Sequence, residues 1–91
     1  MQFLSTGELV GEKYTVEAFL GSGAMGSVYR VRHEDLGSTF ALKLLSPVYS
    51  FDKNYRLRFK REAKINAQIK HQNVVQVYDT GDHDGLLYTV M

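Results

Sequence analysis

Three glycines stand at Gly21, Gly23 and Gly26 in the run Gly21-Ser22-Gly23-Ala24-Met25-Gly26. This G-x-G-x-x-G spacing lets a backbone approach a polyphosphate closely, with N–H groups presented and no Cβ in the way. The same spacing also describes a plain hairpin turn, because glycine relieves any tight turn. Two charged residues sit oddly nearby. Lys43 interrupts the apolar run Phe40-Ala41-Leu42 and Leu44-Leu45. Such a lysine either snorkels to solvent at a sheet edge or is held by a counter-charge. Glu62 is the only acid between Lys53 and Lys70 and falls on the apolar side of that segment. A carboxylate aimed at a core is costly unless paired, so Lys43 is its expected partner. A lysine held in this way becomes a positioned phosphate ligand.

The elements around these residues follow from periodicity. Alternation in Tyr14–Leu20 predicts a strand, and alternation from Val28 to Val31 predicts another. The glycine run therefore joins two strands, whereas a dinucleotide-binding loop opens a helix. Thr39–Leu45 reads as a third strand, with Ala41, Lys43 and Leu45 on one side and Phe40, Leu42 and Leu44 on the other. Pro47 is expected to end regular structure. Asp52 is a candidate N-cap for a helix to about Ile69, with Tyr55, Phe59, Ala63 and Ile69 on its apolar face. Lys53, Lys60, Arg61 and Lys64 fall opposite. Val74–Tyr78 and Leu86–Met91 read as strands four and five, and Asp79–Gly85 as the turn between them. The expected fold is α+β: a five-stranded, mostly antiparallel sheet with one helix between strands 3 and 4. Residues 1–13 read as an extension packed on the domain formed by 14–91.

Composition bounds the rest. The chain has 91 residues, 44% hydrophobic and 23% charged, which suits one small globular domain. Cysteine is absent, excluding disulfides and thiol catalysis. His33, His71 and His83 lack ligand spacing, so no metal ligands are expected. No apolar run reaches the ~18 residues of a membrane span, and the N-terminus lacks signal-peptide character. A cytoplasmic location is expected, with any membrane anchor lying outside this segment. The net charge of +1 conceals segregation. Seven basic residues against one acid in 53–70 make that segment +6, while four against nine leave the remainder at −5. The basic segment reads as a solvated helix face or as a surface for an anionic partner. Nucleic acid is not the expected partner, because aromatic residues do not interleave with the basic face.

In combination these motifs resemble the N-terminal lobe of a protein kinase, over about residues 14–91. The resemblance rests on Leu20-Gly21-Ser22-Gly23-Ala24-Met25-Gly26-Ser27-Val28-Tyr29, Phe40-Ala41-Leu42-Lys43 and Arg58-Phe59-Lys60-Arg61-Glu62-Ala63. It extends to His71-Gln72-Asn73-Val74-Val75 and Leu87-Tyr88-Thr89-Val90-Met91. The form G-x-G-x-x-G-x-V is that family's phosphate-covering loop, and the variety resembled is the bacterial serine/threonine kinase of eukaryotic type. Gln72, where proline is usual, and Phe40, where a smaller residue is common, are departures that leave the chemistry untouched.

The resemblance implies that ATP binds through Leu20, the loop from Gly21 to Val28, Ala41 and Met91. Lys43 would contact the α- and β-phosphates and pair with Glu62. Leu20, Val28 and Ala41 match the roof of the adenine pocket, and Met91 matches the residue before the hinge. Mg²⁺ and the protein substrate would be held by a C-terminal lobe, since this sequence contains no His-Arg-Asp loop and no Asp-Phe-Gly. The segment alone is therefore expected to be inactive. It is also expected to self-associate, as a symmetric dimer through the cleft face or swapped elements. The competing expectation is that residues 1–13 fold over the exposed surface, with Phe3 and Leu4 as plugs. A kinase-like regulatory or interaction module without catalysis is the alternative reading.

Overall fold

A computed structural model describes residues 3–68 and 77–91, with the backbone alone for 63–68. Its element order is β1 (Leu9–Val10), β2 (Tyr14–Ser22), β3 (Gly26–His33), β4 (Thr39–Leu45), α1 (Pro47–Ser50), α2 (Lys53–Gln68), β5 (Asp79–His83) and β6 (Leu86–Val90). The strands form one antiparallel sheet in the order β1-β2-β3-β4-β6-β5.

Period-two alternation divides the sheet into two faces. Across the ladders Tyr29 opposes Leu42, which opposes Val90, and all three are buried. One residue along, Val28 opposes Lys43, which opposes Thr89, and this row points to the other side. The core lies on the first face, where Tyr14, Val16, Val31, Leu44 and Tyr88 pack with them. Leu4 and Val10 fill the same core from the N-terminal side. The Tyr29 hydroxyl accepts the backbone N–H groups of Phe3 and Leu4 at 2.9 and 3.2 Å. Glu8 meets His83 Nε2 at 2.8 Å. Residues 3–10 thus cover the face opposite Lys43, so Leu4 is a plug on the far side of the sheet from the expected cleft.

Several expectations are corrected. Among the described residues the sheet has six strands, because Leu9–Val10 adds to its edge through a tight turn at Gly11 and Glu12, whose φ values are 58° and 61°. Pro47 starts a helix instead of ending regular structure: it occupies the first turn of α1, where its missing N–H is harmless. Asp79–His83 is a strand, not a turn. The turn shrinks to Asp84-Gly85, both at positive φ, 53° and 86°, as a two-residue hairpin of the primed kind requires. Tyr78 precedes β5, while Val74–Gln76 of the expected fourth strand lie outside the described residues, as do Ile69 and the His71–Val75 motif. The N-cap is where the sequence places it. The Asp52 side chain accepts the Tyr55 N–H at 2.9 Å, and its carbonyl accepts that of Arg56. Among the described residues, no helix is long and apolar enough to cross a membrane.

Candidate functional site

The glycine run closes the β2–β3 hairpin. Gly23 N–H donates to the Gly26 carbonyl at 2.9 Å, and the strands pair Ser22 with Ser27 and Gly21 with Val28. The register slips between Phe19 and Gly21, which leaves Leu20 in an irregularity, 56% exposed. The three glycines differ in what surrounds them. A Cβ on Gly21 or Gly23 would meet nothing within 4 Å. A Cβ on Gly26 would run into the Leu44 carbonyl. Gly26 is therefore needed for β3 to pass close to β4, whereas Gly21 and Gly23 have open space where a Cβ would stand.

A cavity of about 370 Å³ beside the loop is lined by Gly21 to Gly26, Val28 and Lys43. Lys43 reaches it because it sits opposite Val28 in the β3–β4 ladder. Ala41 lies two residues along β4 on the same side and is half-buried. Its backbone exchanges hydrogen bonds with Met91 at 2.8 and 3.1 Å, which fixes Met91 beside β4.

A second cavity of about 250 Å³ lies between the sheet and α2. Met25, Lys43, Thr89 and Met91 contribute from the loop and sheet, and Tyr55, Phe59 and Glu62 from the helix. Tyr55, Phe59 and Glu62 follow i, i+4, i+7 spacing, which makes them one stripe. Lys43 thus borders both cavities. Its ammonium makes no ion pair among the described residues, and Glu62 is exposed. The structure brings the loop, Val28 and Lys43 together around one space and sets Glu62 and Met91 around the next. Leu20 borders neither.

Two residues that periodicity does not single out hold this arrangement. Ser50 is fully buried; its Oγ donates to the Leu45 carbonyl at 2.9 Å and accepts the Leu87 N–H at 3.0 Å. Arg56 donates to the Ser50 carbonyl at 2.8 Å and the Gly85 carbonyl at 3.2 Å, and pairs with Asp82. The Arg56 guanidinium beside Asp82 holds its carboxyl below the usual carboxylate range. Elsewhere Tyr14, buried and hydrogen-bonded to Asp79 at 2.7 Å, keeps its phenolic proton well above the ordinary range.

Residues 14–91 match the family described as the protein kinase domain. The chain is 42% identical over 78 residues to the serine/threonine-protein kinase PknI of Mycobacterium tuberculosis, covering 86% of this chain and 13% of that protein. It is 45% identical over 78 residues to PknF of the same organism, again covering 86% of this chain and 16% of the relative. A crystal structure of the M. tuberculosis PknI kinase domain superposes with a TM-score of 0.88 at 39% identity, over 98% of this chain and 35% of that one. The chain therefore spans a small part of the curated relatives and about a third of a solved kinase domain. Its hairpin loop, its strand lysine and the long helix α2 lie where those matches run, and the chain belongs to the protein kinase domain family as the N-terminal part of such a domain.

Proposed function

We propose that this chain is the ATP-binding lobe of a serine/threonine protein kinase that transfers the γ-phosphate of ATP to protein hydroxyl groups. The observation that carries the reading is the cavity shared by the glycine loop and Lys43. Its residues suit a nucleotide triphosphate. The loop offers glycines with open space where a Cβ would stand, and Lys43 offers a cation with no partner among the described residues. Val28 and Ala41 supply an apolar surface beside it for the adenine ring, with Leu20 at the rim and Met91 behind. Glu62 orients the Lys43 ammonium when α2 closes on the sheet. ATP brings the phosphoryl group, and a divalent ion such as Mg²⁺ is held by residues beyond this segment. Protein substrate binds there as well.

In the full-length protein, Lys43→Met is expected to lower protein phosphorylation by about a hundredfold or more while the fold persists. Unchanged activity would overturn the reading. The 91-residue chain alone transfers no phosphate and binds Mg-ATP in the millimolar range, about −4 kcal/mol, because it provides one wall of the cleft. Micromolar affinity by calorimetry would contradict that. The chain works in the cytoplasm, with neither nucleic acid nor membrane as its partner.

The isolated chain also self-associates through its Lys43 face. The N-terminal segment covers the opposite face, while Leu20 and Met25 stay exposed beside the loop. Sedimentation showing a single species at 10.4 kDa would rule this out.

A further inference from the structure

We propose that Arg56 is a positioning residue: it fixes the first turn of α2 against α1 and the β5–β6 hairpin, and so sets where Glu62 stands relative to Lys43. This inference rests on the Lys43–Glu62 pairing proposed above.

Arg56 joins three elements at once. One Nη donates to the last residue of α1 and to the hairpin tip at Gly85, and the other pairs with Asp82 on β5. Its partner Ser50 is itself bound to Leu45 and Leu87. Leu45 lies two residues beyond Lys43 on β4. The anchor of α2 is thus referred to the strand that carries the lysine.

No other α2 side chain is hydrogen-bonded to the sheet or to α1 among the described residues. Apolar packing adds a contact to α1 at the same turn, the Tyr49–Tyr55 ring pair at 5.1 Å, beside the Arg56 bonds. α2 is flanked by two cavities, one holding Lys43 and Glu62 and one of about 360 Å³ holding Arg56, Lys60, Asp82 and Leu87. Phe59 borders both. A helix with space on either side is set by the anchor at its first turn, where Arg56 makes the polar contacts. Glu62 lies six residues beyond Arg56, about 9 Å along the axis, so a tilt of about 20° at the anchor carries it roughly 3 Å. Arginine suits the task because its planar fork reaches two carbonyls and a carboxylate together, which a lysine ammonium does less well.

The test is a set of kinetic cycles in the full-length protein. Arg56→Ala is expected to lower kcat about tenfold, with KM for ATP changed less than about twofold. In a Glu62→Gln background the same change is expected to cost less than about twofold, because Arg56 acts through Glu62. Arg56→Lys should recover part of the loss. Asp82→Asn, which keeps the arginine and both carbonyl bonds, should cost about threefold in the native background and nothing further beside Glu62→Gln. These two milder variants decide the matter if Arg56→Ala does not fold. Hydrogen exchange in the first turn of α2 should rise for Arg56→Ala in either background. Equal losses of kcat with and without Glu62, or no loss at all, overturn the role of Arg56 and leave the Lys43–Glu62 pairing standing. If Glu62→Gln itself leaves kcat unchanged, the pairing fails and the role of Arg56 falls with it.

Discussion

Lys43 and Glu62 border the same cavity of about 250 Å³, and no ion pair joins them. The lysine is fixed by its place in a ladder between Val28 and Thr89, whereas the glutamate rides on a helix attached by its first turn. On the proposed pairing, the helix is therefore the part that moves. The pair is expected to act as a unit in the full-length protein. Lys43→Met and Glu62→Gln should each depress kcat, and the double variant should be little worse than Lys43→Met alone. Steady-state kinetics of the four proteins checks this, and additive losses would separate the two roles.

The glycines of the loop are expected to separate by experiment. Gly26 has a φ of 157°, and a side chain there meets the Leu44 carbonyl. Gly26→Ala should destabilise the chain by about 2 kcal/mol or more. Gly23→Ala meets open space and should stay within about 0.5 kcal/mol of the native chain. Its effect should appear in nucleotide affinity, since Gly23 lines the cavity shared with Lys43. Urea unfolding and ATP titration of both variants distinguish the two requirements.

Ser50 is the next case. Its buried hydroxyl bridges the Leu45 carbonyl and the Leu87 N–H. Ser50→Ala keeps the helix but leaves both backbone groups without that partner. An unsatisfied buried polar group costs about 1–3 kcal/mol, so a loss in that range is expected from denaturant unfolding. Ser50→Thr should not rescue it, because the site is fully enclosed.

Much of this molecule is legible in the sequence because its period-two pattern is strong where a sheet face is buried. Tyr29, Val31, Leu42 and Leu44 announce the core face, and Lys43 between two of them announces the other. The β2–β3 hairpin and the Asp52 cap follow from local chemistry alone. β5 is different. Asp79-Thr80-Gly81-Asp82-His83 has little strand propensity, and it pairs because Leu86–Val90 lies alongside and Gly81 admits the ring of Tyr88 opposite it. The signal available was the Asp84-Gly85 pair, a two-residue hairpin turn absorbed into a longer loop. Arg56 was hidden for another reason. Among seven basic residues its charge reads as part of a solvated face, and only the approach of α1 and the β5–β6 hairpin gives it partners. Pro47 marked a helix start that a preceding serine could have indicated.

The last prediction concerns acid. Glu8 is held below the usual carboxylate range chiefly by its hydrogen bond to His83 and next by the Ser5 N–H; Asp82 is held below it chiefly by its bond to Arg56. Each group releases its proton more readily folded than unfolded. The stability they contribute is fully present above the unfolded carboxylate values near pH 4, and it is lost as pH falls through the lower folded values. Glu8 ties the N-terminal segment to β5, and Asp82 ties β5 to α2, so acid loosens two of the attachments of one edge strand. Both groups are partly exposed, which keeps each contribution small. Glu8→Gln and Asp82→Asn should therefore each flatten the decline of unfolding free energy between about pH 4 and pH 2, and the double variant should flatten it further. Urea midpoints measured across that interval check it. A decline as steep in the double variant as in the native chain would show that other carboxylates carry the acid response.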